Sequence, residues 1–112
     1  MSHAHVPDPR NESVLVYVNG RLVPRNEATI SVFDSGFLMG DGVWEGLRLH
    51  NGKLAFAGAH LDRLFEGAKA IDLDIGITKE ELAREILRTT EANGMRWDVH
   101  IRVMVTRGLK ST

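Results

Sequence analysis

The stretch EGLRLHNGKLAF, residues 45–56, has the pattern of a β-hairpin. Two runs that contain large apolar side chains flank Asn51-Gly52, a pair that readily takes the positive φ angles of a two-residue turn. The same arrangement occurs earlier, where the run VLVYV, residues 14–18, is followed by another Asn-Gly pair. Two such hairpins in a short chain predict an antiparallel sheet.

Two amphipathic helices are predicted in the middle of the chain. The first covers residues 61–71, where apolar side chains recur at helical spacing and charged side chains lie between them. The second begins after Thr78, because Thr78 and Glu81 form a capping box, in which each side chain accepts a hydrogen bond from the other residue's backbone N–H. It ends near Asn93, which precedes a glycine suited to a C-cap.

Residues 99–106 alternate apolar and polar side chains, which predicts a final strand. Strands, two helices and a strand, without regular β–α–β alternation, indicate the α+β class, with the two helices packed against an antiparallel sheet. Residues 13–112 are interpreted as one domain. Residues 1–12 are polar, contain two prolines and are predicted to be disordered.

Composition excludes several classes of function. The chain has 112 residues, with 14 lysines and arginines against 15 aspartates and glutamates. This near-neutral balance gives no reason to expect nucleic acid or an anionic membrane as a partner. No apolar run approaches the roughly 20 residues that span a bilayer. Without cysteine there is neither a disulfide framework nor a thiolate nucleophile, and a cytoplasmic location is the expectation.

The segment GFLMGDG, residues 36–42, holds three glycines, which permit positive φ angles and close backbone approach. A phosphate-binding loop is one interpretation of such a segment. The context argues against it, since no Gly-Lys-Ser/Thr follows. The next element, from Val43, is predicted as a strand rather than as a helix that would direct its N-terminus at phosphate. A structural turn is the favoured interpretation of the pattern.

Four further side chains are candidates for binding, although each has an ordinary structural explanation. His100 and Arg102 share one face of the final strand, about 7 Å apart, and suit a carboxylate, but a solvated outer face is the commoner explanation. Arg63 lies on the polar side of the first helix, where arginine is usually solvated or paired. Trp44 begins a strand, and a large aromatic side chain is more often part of the core. The histidines show no metal-ligand spacing with a third group, so no metal site is predicted.

Three motifs resemble one enzyme family. The segment FDSGFLMGDGVWEGLR, residues 33–48, closely resembles the glycine-rich stretch of fold-type IV (class IV) pyridoxal-phosphate aminotransferases. The segments HLDRL, residues 60–64, and VMVTRG, residues 103–108, resemble the same family in the same order and at similar spacing. The family includes branched-chain and D-amino-acid aminotransferases, (R)-amine transaminases and aminodeoxychorismate lyase. The resemblance covers residues 16–108, so the chain is similar to the N-terminal domain of such an enzyme.

This resemblance implies a cofactor, pyridoxal 5'-phosphate, and a role for each candidate residue. Arg63 would hold the phosphate of the cofactor, and Trp44 would line the substrate pocket, where relatives commonly have Phe or Tyr. His100 and Arg102 would help to recognise the carboxylate of the substrate. A histidine at position 100 resembles the pattern of D-amino-acid enzymes, whereas an arginine at position 102 resembles that of branched-chain enzymes. Met39 stands where many branched-chain relatives have a Tyr that reaches the neighbouring subunit's active site, and a thioether lacks that phenolic hydrogen bond.

The family is dimeric, so the resemblance implies a homo-oligomer. It also implies that the lysine that binds the cofactor covalently lies in a C-terminal domain, beyond Thr112. No catalytic residue is therefore assigned, and the chain alone is predicted to be an inactive fragment. The lysines fall in a hairpin turn, on helix surfaces and among the last residues, settings that do not bury an amine. They are Lys53, Lys69, Lys79 and Lys110.

The implied reaction moves an amino group from an amino acid, with the branched-chain type favoured, to a 2-oxo acid. The cofactor performs the bond-making chemistry. The identity and stereochemistry of the amino donor stay open. Alternatives within the family are an aminodeoxychorismate lyase and a D-amino-acid or (R)-amine transaminase. A rival of another class is a non-catalytic domain that only associates with itself or with a complementary half.

Overall fold

Two antiparallel sheets and three α-helices form the part of the chain that the computed structural model describes, residues 6–110. In chain order the elements are β1 (Leu15–Val18), β2 (Arg21–Pro24), α1 (Ser35–Met39), β3 (Gly42–His50), β4 (Lys53–Leu54), α2 (Ala57–Ala70), α3 (Lys79–Ala92) and β5 (Val99–Thr106). The strand orders are β1-β2 in the first sheet and β4-β3-β5 in the second. The predicted α+β class is confirmed, whereas the single predicted sheet is divided in two and a third helix, α1, is added.

The open edge of β1 contacts a side chain rather than a third strand. The backbone N–H of Leu15 donates to Oδ1 of Asn93 at 2.7 Å, and Nδ2 of Asn93 donates to the Leu15 carbonyl at 3.0 Å. Asn93 is the C-cap residue of α3, so the hairpin is attached to the end of a helix. Its side-chain amide satisfies backbone groups that a third strand would otherwise pair.

Both predicted hairpin turns are confirmed. Asn19 and Gly20 have φ angles of 50° and 89°, and Asn51 and Gly52 have φ angles of 51° and 70°. In each hairpin the residues that flank the turn are directly paired. The turn chemistry thus sets the register of β1 with β2 and of β3 with β4.

The strand after the second turn is shorter than predicted. The sequence predicts a returning strand over residues 53–56, but β4 ends at Leu54. Phe56 has a φ angle of 53° and is the N-cap residue of α2. The left-handed conformation of Phe56 therefore ends the sheet and turns the chain directly into the helix, which begins at Ala57.

The core lies between the two long helices and one face of the β4-β3-β5 sheet. The helical spacing predicts the buried faces except at Ile71, which follows the end of α2 and is 39% exposed. The predicted capping box opens α3. Partly buried side chains of β3 and β5 pack against the helices from the side of the sheet. The buried centre of this cluster consists of Leu61, Leu64, Leu82 and Ile86.

The segment before β1 contacts the residues that precede β5. Pro9–Asn11 forms a single 3-10 turn. Arg10 donates to the backbone carbonyls of Trp97 and Asp98 at 3.0 and 3.1 Å. Of the segment 1–12, for which disorder is predicted, residues 1–5 lie outside the described residues.

Gly42 lies where the backbones of β3 and β5 are close together. A Cβ atom added to Gly42 would be 2.5 Å from the carbonyl oxygen of Val105, which belongs to the paired strand. Because a paired backbone cannot move aside easily, we expect Gly42→Ala to lower the free energy of unfolding by about 1–3 kcal/mol. Denaturant unfolding, with midpoints and slopes compared between variants, measures this change.

Gly58→Ala is the matched control for this substitution. Gly58 lies in the first turn of α2, and an added Cβ atom would have nothing within 4 Å. Alanine favours a helix over glycine, so we expect the free energy of unfolding to stay unchanged or to rise slightly. Equal losses of stability in the two variants would contradict the role assigned to Gly42.

Candidate functional site

A buried carboxylate lies at the contact between β3 and α2. Every second side chain of β3 from Val43 to Leu49 faces the helices, and this row is apolar except for Glu45. The side chain of Glu45 is only 5% exposed. A carboxylate at such a position needs compensating hydrogen bonds, because burial disfavours its charged form.

Two side chains of α2 supply these hydrogen bonds. Arg63 donates from Nε to both carboxylate oxygens of Glu45, at 2.9 and 3.0 Å, and from Nη2 to Oε1 at 2.6 Å. Nδ1 of His60 lies 3.0 Å from Oε1. Residues three apart share one face of a helix, so His60 and Arg63 reach the carboxylate from the same side. The side chain of Arg63 is still 71% exposed.

These contacts keep Glu45 and Arg63 charged. The hydrogen bonds from Arg63, and after them the contact with His60, hold the pKa of Glu45 below its ordinary value, against the opposing effect of burial. The hydrogen bonds to Glu45 raise the pKa of Arg63. At neutral pH Glu45 is therefore an anion that only accepts hydrogen bonds, and Arg63 is a cation anchored along one edge of its guanidinium.

Trp44, His100 and Arg102 lie on the opposite face of the same two strands. The guanidinium carbon of Arg102 lies 4.3 Å from the centroid of the Trp44 ring, which is a cation–π contact. Trp44 is 57% exposed, so the commoner structural explanation, a place in the core, does not apply to it. Its strand neighbour Glu45 faces inward, and the alternation of a strand therefore turns Trp44 outward. His100 and Arg102 project outward from β5, as predicted.

The structure thus brings the candidate residues together on two surfaces rather than in one place. Trp44 and Arg102 are in contact on the open face of the sheet. The ring of His100 lies on this face beside Gly46, where an added Cβ atom would meet it at 3.0 Å. Arg63 lies on the helix side, next to the inward row of β3.

The glycine-rich segment forms the short helix α1, where the sequence favours a structural turn. Asp34 caps this helix, since its Oδ2 accepts a hydrogen bond from the Gly36 N–H at 2.9 Å. The other carboxylate oxygen of Asp34 accepts from the Thr106 hydroxyl at 2.9 Å. Gly40 ends the helix with a φ angle of 68°. The segment is therefore fastened to the end of β5, which agrees with a structural role and not with a phosphate loop.

Arg107 fastens the same segment to the end of α2. Its Nε and Nη2 donate to the two carboxylate oxygens of Asp41 at 2.8 and 3.2 Å. Its Nη2 and Nη1 donate to the backbone carbonyls of Ile71 and Asp72 at 2.7 and 3.1 Å. Ile71 is the C-cap residue of α2, so this cation lies at the negative end of the helix dipole. Because all three nitrogens of its guanidinium donate within the domain, Arg107 is assigned a supporting role rather than a binding role.

Met39 is exposed at the end of α1, in a segment with several exposed apolar side chains. It is 54% exposed, and Nζ of Lys110 lies 3.5 Å from its Sδ. Exposed apolar side chains concentrated in one segment are typical of a contact with another protein surface. The others in this segment are Ile30, Val32, Phe33, Phe37 and Leu38.

Sequence reasoning missed Glu45 and His60. The signal for Glu45 is its register position, since the alternation that turns Leu47 and Leu49 inward also turns Glu45 inward. A charge that faces inward on a strand indicates a cation on the helix that packs against it. The signal for His60 is its spacing of three residues from Arg63.

The candidate binding residues lie on open surfaces of the described chain. Two surface depressions, of about 530 and 520 Å³, lie beside Pro24 and beside Asp72, and neither is lined by Arg63 or Trp44. Within residues 6–110, no three His, Cys, Asp or Glu side chains are grouped so that they could hold a metal ion. Over the same residues, no helix combines the length and the apolar character that crossing a membrane requires.

The sequence profile of the family described as Amino-transferase class IV matches residues 42–112. The match covers more than half of the chain and includes the buried cluster on β3 and α2 as well as the exposed face of β5. The chain belongs to the class IV aminotransferases. The family resemblance inferred from the three motifs is thereby confirmed.

Relatives of this class IV chain include two proteins whose names mention different amino acids. Over 107 residues it is 46% identical to branched-chain-amino-acid aminotransferase-like protein 1 of Arabidopsis thaliana, an alignment that covers 96% of this chain and 19% of the relative. Over 96 residues it is 43% identical to the D-alanine aminotransferase of Listeria monocytogenes, covering 86% of this chain and 33% of the relative. The chain thus spans between about a fifth and a third of the length of these curated relatives.

A solved relative has the same fold. The crystal structure of a branched-chain amino acid aminotransferase from the organism abbreviated T.th., complexed with N-(5'-phosphopyridoxyl)-L-glutamate, superimposes with a TM-score of 0.79 at 30% sequence identity. The superposition covers 88% of this chain and 34% of that chain. The predicted architecture of an N-terminal class IV domain is therefore confirmed. The complex supports pyridoxal phosphate as the cofactor of the family.

The ion pair between Glu45 and Arg63 makes the stability of this class IV domain depend on pH. Because the pKa of Glu45 is lower in the folded state, its stabilising contribution is present in full above the unfolded value of about 4.3. The contribution is lost as the pH falls through the lowered folded value. We expect Glu45→Gln to be less stable than the wild type at pH 7, and the difference to shrink below about pH 4. Thermal unfolding between pH 7 and pH 2 measures the difference.

Glu66→Gln is the control for this pH dependence. Glu66 is exposed and lies three residues after Arg63 on α2, so the substitution removes the same charge without touching the buried carboxylate. We expect its stability to follow that of the wild type at each pH. A difference between Glu45→Gln and the wild type that stays constant over the whole range would refute the assignment.

Proposed function

We propose that this class IV domain holds the phosphate of pyridoxal 5'-phosphate through Arg63. The observation that carries the proposal is that Arg63 is anchored along one edge by a buried carboxylate while its side chain stays 71% exposed. A guanidinium has five N–H donors in a planar fork. Glu45 engages Nε and Nη2, and Nη1 makes no hydrogen bond within residues 6–110, so donors are left for an anion. The residues present therefore fit the phosphate of the cofactor.

We propose further that the outer face of β3 and β5 forms one wall of the substrate site. Arg102 is exposed and offers a cation to the carboxylate of an amino acid. The Trp44 ring beneath it restrains the guanidinium and supplies apolar surface to the wall. His100 projects from the same face two residues earlier. When bound, pyridoxal phosphate supplies the electron sink, and the chain's own contribution is binding and orientation.

The reaction that we propose for the complete enzyme is transfer of an amino group from a branched-chain amino acid to a 2-oxo acid. Arg102 and the similarity to the Arabidopsis thaliana relative support the branched-chain donor. A D-amino-acid transaminase is the second candidate, supported by His100 and by the similarity to the Listeria monocytogenes relative. An (R)-amine transaminase, an aminodeoxychorismate lyase and a purely associating domain are alternatives that no particular residue of residues 6–110 favours.

We also propose that the complete enzyme is a homodimer in which the segment around Met39 faces the second copy. The support is the run of exposed apolar side chains between residues 30 and 39. The contact of such an apolar surface with water is unfavourable, and burial of the surface against a second copy removes this contact.

Substitution of Arg63 tests the proposed cofactor site. We expect Arg63→Ala to weaken the binding of pyridoxal 5'-phosphate to the complete enzyme by about ten- to a hundredfold, because a charge-assisted contact is lost. Arg63→Lys is expected to restore only part of the affinity, since a point charge lacks the planar fork. The measurement is a cofactor titration of the enzyme stripped of cofactor, followed by absorbance.

Arg84→Ala is the matched control for Arg63→Ala. Arg84 is an exposed arginine on α3, so its truncation removes the same charge from a helix surface. We expect its affinity for the cofactor to equal that of the wild type. If Arg63→Ala also binds the cofactor as tightly as the wild type, Arg63 is only a partner of Glu45 and the proposal fails.

The chain alone, residues 1–112, is expected to show no transaminase turnover. Each of Lys53, Lys69, Lys79 and Lys110 is exposed. The pKa of Lys79 is raised, chiefly by its hydrogen bond to Asp62, which makes this amine a poorer nucleophile. Borohydride treatment in the presence of cofactor, followed by mass mapping, is expected to find no stoichiometric adduct at one defined lysine. Such an adduct together with turnover would overturn the expectation.

A further inference from the structure

Glu45 occupies a position that the fold alone would fill with an apolar side chain. It lies between Val43 and Leu47 in the inward row of β3, and it is directly paired with Val103 of β5. A buried carboxylate, even when paired with a cation, contributes little net stability in comparison with a well-packed apolar side chain of similar volume. The stability of the core therefore does not explain why a carboxylate occupies this position.

The geometry around the carboxylate supplies that explanation. Both oxygens of Glu45 accept hydrogen bonds from Nε of Arg63, and Oε1 also accepts from Nη2. An exposed arginine side chain otherwise samples many rotamers. The carboxylate is itself fixed, because it is buried on a strand and Nδ1 of His60 lies 3.0 Å from Oε1. A rigid anion thus holds one edge of a guanidinium that is otherwise exposed.

We infer that Glu45 is a positioning residue for the cofactor: it fixes the guanidinium of Arg63 so that the Nη1 group stays available to a phosphate. His60 assists by holding the carboxylate of Glu45. This inference rests on the proposed function, since it requires that Arg63 bind the cofactor phosphate. Glu45 itself does not touch the cofactor in this assignment.

Positioning and charge predict opposite effects of removing the carboxylate. If Glu45 acts by position, its loss frees the Arg63 side chain, whose ordering then costs affinity each time the cofactor binds. If Glu45 acts only by charge, its loss removes a negative group near the phosphate and strengthens binding. Glu45→Gln removes the charge. Glu45→Asp keeps the charge but is one methylene shorter, so it no longer reaches Arg63 in the same way.

The experiment titrates the complete enzyme, stripped of cofactor, with pyridoxal 5'-phosphate and separately with pyridoxal, which lacks the phosphate. We expect Glu45→Gln and Glu45→Asp each to weaken pyridoxal 5'-phosphate binding by about three- to tenfold and to leave pyridoxal binding unchanged. Glu66→Gln, the exposed carboxylate on the same helix, is expected to change neither affinity. The variant that combines Glu45→Gln with Arg63→Ala is expected to bind no more weakly than Arg63→Ala alone, because nothing is left to position.

The outcomes separate this inference from the proposed function. If Arg63→Ala binds pyridoxal 5'-phosphate as tightly as the wild type, the proposed function is overturned. Weaker binding in Arg63→Ala, together with unchanged or tighter binding in both Glu45 variants, overturns the positioning role alone. Equal losses for pyridoxal 5'-phosphate and pyridoxal, or additive losses in the double variant, also overturn it, because they indicate general damage to the fold.

Discussion

The alternation of side chains along β3 is the constraint on which both surfaces of the candidate site depend. Successive residues of a strand face opposite sides, so one row of β3 lies against α2 and the other lies on the open face. β5 pairs with β3 in antiparallel fashion along the whole length of β5, and this pairing fixes the register between the two strands. A shift by one residue would place Trp44 against the helices and expose Glu45. The anion that holds Arg63 and the ring that supports Arg102 are therefore set by one register.

The features that the sequence predicts are those that a few neighbouring residues encode. The Asn-Gly turns depend on positive φ angles at two positions, and the capping box at Thr78 depends on two side chains three residues apart. The alternation of β5 likewise predicts that His100 and Arg102 project outward. Each of these patterns has a local physical cause, so it can be predicted without knowledge of the rest of the chain. The resemblance to the family adds the cofactor and the role proposed for Arg63, which composition and spacing do not supply.

The features that the sequence does not predict depend on groups far apart in the chain. Glu45 and Arg63 are separated by 18 positions and lie on different elements. The attachment of the β1-β2 hairpin to α3 depends on Asn93, 78 positions from Leu15. The size of Trp44 favours burial, whereas its place in the alternation turns it outward. Long-range hydrogen bonds and strand register therefore account for most of the features that the structure has and the sequence does not predict.

The contacts of Arg107 have a consequence for how the domain opens. One guanidinium connects Asp41 in the glycine-rich segment, the last carbonyls of α2 and the end of β5, to which Arg107 is joined in sequence. Displacement of Arg107 at the end of β5 breaks its hydrogen bonds to both of the other segments at once. We therefore expect the three segments to open together, so that their backbone amides share one opening free energy. The β1-β2 hairpin is attached elsewhere, through Asn93, and we expect it to open while these three segments stay closed.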